Sequence, residues 1–471
     1  MASTDPHYSG TTHDSWVLER LALWSSSLKL VDIPAPVRII AKACVTDTVG
    51  VALAGMASNV ARQAAAVQEM STAAGHSTLL GRSGGLCAPA AAFVNAVAGH
   101  ALDFDDNSYA GFVHGSVIVM PAALAVAQMR DLDGGQLLTA FVAGVECEYA
   151  LAKALTRQVY DRGWWTTGVL GNVGACAAAC HALGLDAPRT ASALGIALAA
   201  TGGLKGAFGS DAKALSAGRT SAAGVTSALL AEQGSRGPLD LIEHPKGLAQ
   251  MFNGGLLTSL PELGKDWGLL DPGIDLKRVP LCLSSHAAID AMCEIQMVEG
   301  ISAQDIAEIV CDVPPVVIQN LVHDRPRNQQ QAQFSMPFSL ACTAVFGDVG
   351  LANLDGSTLE REDLRNLMER VSMHSSERWD AHLLEQAPEG AWVSVRCHDG
   401  RMTERFCGSA LGTAANPMNS EQLQAKFLQC SQGALTPDQA RKLLLDLGNL
   451  ESVPSARNLL PAAFDVGLAD S

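Results

Sequence analysis

The sequence predicts a mainly α protein: a large all-helical domain formed by both ends of the chain, with a smaller α+β domain inserted between them. Three observations carry that expectation. From about Ser15 to Gln233, helix-like segments follow one another with only short Gly, Asp or Pro punctuation. Further on, 305–312 and 391–406 alternate apolar and polar residues, and from Asn419 to Leu447 helical periodicity returns. These changes of texture set the expected boundaries at 15–268, 269–408 and 409–471.

The first helical segments are read at 36–55, 86–102, 116–130, 134–156, 169–184 and 188–201. Apolar residues make up 48% of the chain but aromatics only 5%, and there are 44 Gly, so the interior must be built from small side chains in closely crossing helices. Pro36 and Pro121 read as lying near helix starts, and Asp186 as a cap ahead of Pro188. Residues 163–185 hold no Asp, Glu, Lys or Arg; their Gly and Ala content, with Asn172 and His181, favours a buried helix over a membrane span. In the inserted part, Asp399-Gly400 between two alternating runs signals a hairpin. Helix-like runs at 284–298, 335–346 and 361–372 complete the α+β texture, and the last helical stretch is expected to pack back on the first domain.

The net charge of −16 argues against a nucleic-acid partner. It also repels anions at long range, so a site for an anionic ligand must carry its own cluster of cations. Twelve Cys without regular spacing, and a polar opening from Met1 to Asp14 with no apolar run, read as a reduced cytoplasmic protein without a membrane partner.

Three constellations could carry chemistry. In 99–121, GHALDFDDNSYAGFVHGSVIVMP, the carboxylates of Asp103, Asp105 and Asp106 follow His100 and lead to His114. Crowded carboxylates raise at least one pKa, and a His beside a carboxylate can serve as general acid or base; the alternative is a capping cluster for the next helix. In 205–220, Lys205, Lys213 and Arg219 lie among Gly, Ser and Ala before a helix, which suits carboxylate binding. Lys277 and Arg278 precede VPLCLSSH, close to His286. Thr166 and Thr167 can donate to a carboxylate or cap a helix, and Cys176 and Cys180 read as small buried thiols. No HExxH, paired CxxC or calcium loop occurs, so no metal site is expected.

HALDFDDN followed by a His and an apolar helix containing Pro resembles the signature of the MmgE/PrpD family. GVLGNVGACAAACHALGL, DAKALSAGRTSAAG, LKRVPLCLSSHAAIDA, AQFSMPFSLACTAV and NPMNSEQLQAKF resemble further family segments in the same order, from about residue 17 to 447. The family includes 2-methylcitrate dehydratase, cis-aconitate decarboxylase and iminodisuccinate epimerase. The resemblance implies a homodimer with a site in the cleft between domains, working on a small anionic polycarboxylate without metal or organic cofactor. It implies Asp103, His114, Lys213 and His286 as catalytic candidates and Asn107, Lys277 and Cys282 as substrate-binding ones, to which Trp165, Thr166 and Phe338 are added from their own positions in the sequence.

The chain departs from that pattern at four places. Trp165 stands where many members have His, Phe338 where a Tyr is expected, Ser216 where a His usually follows the lysine of the second motif, and Cys282 where the decarboxylase commonly has His. The leading expectation is dehydration next to a carboxylate, 2-methylcitrate dehydratase-like, with His114 or Asp103 as base. The alternatives are epimerisation of a dicarboxylate α-carbon, decarboxylation of a cis-aconitate type of acid, and a non-catalytic carboxylate-binding dimer. Indole for imidazole and Phe for Tyr both make a pocket more apolar, so the substrate is expected to carry an apolar substituent.

Overall fold

The computed structural model describes residues 15–155, 157–461 and 464; the polar opening 1–14 and the end of the chain from 465 lie outside the described residues. The protein is mainly α. Its chief helices in the first part are α1 (Val17–Ser27), α2 (Ala35–Gly55), α3 (Asn59–Ser71), α4 (Ala88–His100), α5 (Gly115–Arg130), α6 (Gly134–Leu155), α7 (Thr166–Leu183), α8 (Ala187–Ala199) and α9 (Asp211–Glu232). Small residues let them cross closely. A Cβ added to Gly144 of α6 would lie 2.5 Å from Val119 Cγ1 of α5 and 2.6 Å from the Gly174 carbonyl oxygen of α7, so only glycine lets the three helices approach this closely.

One apolar core runs from Val17 to Ile274 and resumes from Phe427 to Phe464. The resumption comes from α12 (Ser420–Cys430), which packs on α2, and α13 (Pro437–Gly448). Lys426 of α12 locks the first contact, its Nζ 2.6 Å from the Asp47 carboxylate. A second core gathers residues from Val279 to Ala410 around α10 (His286–Glu299), α11 (Met336–Phe346) and a four-stranded sheet.

Strands β1 (Ala74–Thr78) and β2 (Gly85–Leu86) form a two-stranded antiparallel ribbon inside the part expected to be all helical. The four-stranded sheet has the order β4-β3-β5-β6, with β3 (Ile306–Asp312), β4 (Val371–His374), β5 (Ala391–Cys397) and β6 (Met402–Cys407). The hairpin β5–β6 turns at Gly400, whose φ of +90° a side chain would resist. The helix expected over 361–372 ends at Met368, because the chain then pairs in parallel with β3 as an edge strand. Pro121 lies inside α5 and not near its start, since the Asp106 carboxylate accepts from Ser116 N at 3.4 Å and opens the helix at Gly115. Asp186 caps α8, accepting from Arg189 N at 3.0 Å. Residues 166–183 form the buried helix α7, and no single helix among the described residues is long and apolar enough to cross a membrane. All twelve cysteines are free.

Candidate active site

The loop between α4 and α5 is bent by two residues in the left-handed region, Asp103 (φ +48°) and Phe112 (φ +57°), a conformation that costs a non-glycine residue on the order of 1–3 kcal/mol. Ser108 and Val113 close it with paired backbone hydrogen bonds of 2.8 and 3.1 Å. Asn107 ties it to the start of the second core's chain segment, exchanging backbone hydrogen bonds of 3.0 and 2.8 Å with Asp275. The Thr166 hydroxyl donates to Phe112 O at 2.5 Å, and Thr167 Oγ1 accepts from His114 N at 3.0 Å, so the start of α7 also holds the loop.

Asp103 is where the cations meet. Lys213 Nζ, from the first turn of α9, lies 2.5 Å from its Oδ1, and Lys277 Nζ lies 2.9 Å from its Oδ2. All three groups are buried. Burial alone would raise the Asp103 carboxyl, but the Lys213 and Lys277 ammonium groups overcome it and hold the carboxyl well below the usual carboxylate range. Burial likewise opposes the charge of Lys277, and Asp103 with Asp105 more than offsets that, so its pKa is raised.

Two imidazoles share the next carboxylate. His100 Nδ1 lies 2.8 Å from Asp105 Oδ2, and His114 Nδ1 lies 3.1 Å from the same oxygen and 2.7 Å from Asp106 O. Burial pushes the His100 pKa down to about 4 despite Asp105, so its neutral ring donates through Nδ1–H. The rings of His100 and His114 outweigh burial at Asp105 and hold its carboxyl well below the usual range. Trp165 stacks on His100, with ring centroids 5.4 Å apart. With Nδ1 of His114 engaged, Nε2 is the ring nitrogen left free for the cavity that His114 lines. Asp106 is different: burial pushes its carboxyl up to about 7.

These groups border a cleft between the two cores. Asp103, Asn107, His114, Trp165, Lys213, Lys277 and Cys282 all line it. Three helix starts contribute, through His114 before α5, Trp165 before α7 and Lys213 in α9, so their partial positive charge adds to that of the lysines. Burial, with Asp103 adding to it, pushes the Cys282 thiol up to about 11, which leaves it protonated at neutral pH.

Three expected residues stand elsewhere. His286 opens α10 with Nε2 turned to Leu281 O at 3.2 Å, and burial, with Lys277 and Arg278, pushes its pKa down to about 3; it braces its own turn and does not line the cleft. Phe338 is fully buried in the second core, where its missing hydroxyl needs no polar partner. Thr166 is spent on Phe112 O. Arg278 pairs with Asp290 and Asp348 away from the cleft, and Arg219 is exposed. Ser284, one of the two hydroxyls in VPLCLSSH, lines it too, and sequence reasoning passed over Phe112, Tyr160, Phe208, Asn320, Phe334 and Glu389, which also do. Phe112, two residues from His114, and Phe208, between Lys205 and Lys213, carried a local signal.

His100, Asp105 and His114 offer three ligand atoms within 4.8 Å of one another, a grouping that contiguous spacing rules do not describe. Their Nδ1 to Oδ2 separations of 2.8 and 3.1 Å are those of direct hydrogen bonds.

A mainly helical chain with a second core carrying a small sheet, and a buried lysine–carboxylate and histidine–carboxylate cluster where the two cores meet, defines a class of two-core helical proteins with a charged cleft. The chain belongs to the MmgE/PrpD family: the MmgE/PrpD N-terminal domain matches residues 19–259 and the MmgE/PrpD C-terminal domain residues 279–449. It is 26% identical over 432 residues to the cis-aconitate decarboxylase of Homo sapiens, covering 88% of this chain and 87% of that one. It is 24% identical to a cis-aconitate decarboxylase-like protein of Aspergillus oryzae, over 96% and 98% of the two chains, and 24% identical to the cis-aconitate decarboxylase of Aspergillus terreus, over 92% of each.

Proposed function

We propose that this chain is a lyase that removes a carboxyl group from a small polycarboxylic acid in the cleft bordered by Asp103, His114, Lys213 and Lys277. The observation that carries the reading is that His114 is the one imidazole among the described residues lining the cleft. Decarboxylation needs one proton donor at carbon, whereas epimerisation needs a base on each face. In this reading Lys213 and Lys277 hold carboxylates and oppose the negative charge that builds up on carbon. The C–C bond to one carboxylate breaks, carbon dioxide leaves with the electron pair staying on carbon, and a proton from His114 Nε2 forms the new C–H bond. His114 then regains a proton from water, while Asp105 and Asp106 O keep the remaining ring proton on Nδ1. The names of the relatives support carboxyl loss over the dehydration expected from the signature motif. Trp165 and Cys282 argue for an acid other than the relatives' own. The division into two domains belongs to the same proposal, supported by the two separate apolar cores; the chain passes from the first to the second between Ile274 and Val279 and leaves the second after Ala410, a few residues beyond the expected 268 and 408.

A second reading has one observation in its favour. Tyr160 borders the cleft, and burial pushes its hydroxyl up, so it stays protonated and could serve as the acid that protonates the leaving hydroxyl in a dehydration, with His114 as the base. Incubation with cis-aconitate, citrate and 2-methylcitrate in deuterated water, followed by NMR and carbon dioxide capture, separates the readings. Stoichiometric carbon dioxide with one deuteron in the product is expected. A gain or loss of water without carbon dioxide would establish the hydro-lyase instead, and deuterium exchange with neither would point to epimerisation.

A further inference from the structure

Glu389 is the second carboxylate on the cleft, and it is held quite differently from Asp103. Its Oε2 accepts from Tyr109 Oη at 2.5 Å and its Oε1 from Ser284 Oγ at 2.5 Å. Ser284 Oγ accepts from Asn320 Nδ2 at 3.1 Å, and Asn320 Oδ1 accepts from Tyr160 Oη at 3.0 Å. Each donor along the line from Tyr160 to Ser284 therefore points its hydrogen toward Glu389, and the bonds polarise one another. Among the described residues no Lys, Arg or His pairs with Glu389, whereas Asp103 has two lysines. A carboxylate offers about four acceptor directions, so two remain after Tyr109 and Ser284.

The charges on the cleft wall make this matter. Lys213 and Lys277 supply two positive charges, and Asp103 and Glu389 cancel them in formal count when His114 is neutral. Such a wall suits a ligand whose carboxylates sit at the lysines and whose opposite substituent is a hydrogen-bond donor. A further carboxylate beside Glu389 would meet like charge with no cation between them.

We propose that Glu389 determines substrate specificity, accepting a hydrogen bond from a hydroxyl or amino substituent of the substrate and turning away a carboxylate at that position. The proposal rests on the reading of the cleft as a polycarboxylate site, and it narrows the substrate to hydroxy- or amino-substituted acids.

Isothermal titration of the full chain with matched acids tests it without requiring turnover. Citrate and tricarballylate differ by one hydroxyl, and aspartate and succinate by one amino group. Wild type is expected to bind the substituted member of each pair at least 10-fold tighter. In Glu389→Gln the ratio should fall to about threefold or less, mainly because the unsubstituted acid binds better. Ser284→Ala keeps the charge but loosens its aim, and should lower the ratio by an intermediate amount; it carries the test if Glu389→Gln does not fold. A wild-type ratio near one, or a ratio unchanged in the variants, overturns the role of Glu389 and leaves the lyase reading standing. Failure of wild type to bind any of the four acids overturns the polycarboxylate reading and this proposal with it.

Discussion

Lys277 reaches Asp103 across 174 positions of sequence, its Nζ 2.9 Å from Oδ2 and 2.8 Å from the backbone carbonyl oxygen of the same residue. With Lys213 on Oδ1, the pair closes a buried ionic triad. Asp103→Asn would leave two buried ammonium groups facing a neutral amide. It should destabilise the fold by about 3–5 kcal/mol, the usual cost of removing one partner from a buried ion pair. Urea unfolding followed by circular dichroism measures this. Arg401→Ala, which breaks an exposed pair with Asp399, should leave the midpoint where it is.

Glu148 is buried with both carboxylate oxygens lacking a hydrogen-bond partner among the described residues, and burial pushes its pKa up to about 8. A carboxyl whose folded pKa is raised binds its proton more tightly in the folded state. Its contribution is therefore present below the unfolded value of about 4.3 and is lost as pH rises through 8. Glu148→Gln should remove that slope, leaving the variant more stable than wild type at pH 8 and little changed at pH 4. Unfolding midpoints across this range check the sign; a steeper slope in the variant would contradict it.

His100 contributes with the opposite sign. Its folded pKa of about 4 lies below the unfolded value of about 6.5, so its stabilising effect is present above pH 6.5 and is lost as pH falls toward 4. His100→Asn should flatten the acid limb of the stability profile. An unchanged limb would show that another group governs it.

His114→Asn is expected to abolish turnover while leaving the unfolding midpoint within a few degrees of wild type. Asp105→Asn, which removes the negative charge beside His114 and leaves Asp106 O alone to hold its Nδ1–H, should lower kcat, by up to the roughly 10² to 10⁴ of a general acid–base contribution, and change KM little. Equal loss in KM and kcat would assign Asp105 to binding.

Trp165 lines the cleft and stacks on His100, so it alone now carries the expectation of an apolar substituent on the substrate. Trp165→His should lower kcat/KM for an alkyl-substituted acid relative to its plain analogue by about 10-fold or more, since one methylene in an apolar site is worth about 1–3 kcal/mol. An unchanged ratio would reduce Trp165 to packing.

The helices, the hairpin at Gly400 and the candidates Asp103, His114, Lys213 and Lys277 were legible because each rests on a local pattern: apolar periodicity, a turn dipeptide, or charged groups clustered within a short motif. Phe338 became a candidate only through the family resemblance, and His286 through that resemblance and the motif that follows Lys277. Their side chains face the second core and the Leu281 carbonyl, and direction is a property of the packed element that no motif encodes.

What the sequence by itself determined is most of the helices, the hairpin at Gly400 and, for an anionic ligand, the need for local positive charge in a chain of net charge −16. Tertiary structure alone decided how that charge is used. It brings Asp103 between Lys213 and Lys277, sets both histidines on one oxygen of Asp105, and delivers Glu389 to the cleft from an Ala-Pro-Glu-Gly turn with no pattern of its own. The physical reason is that hydrophobic burial, which sets the periodicity, is local and non-directional, whereas ion pairs and hydrogen bonds depend on distances between residues far apart in the chain. Those distances exist only once the two cores have formed.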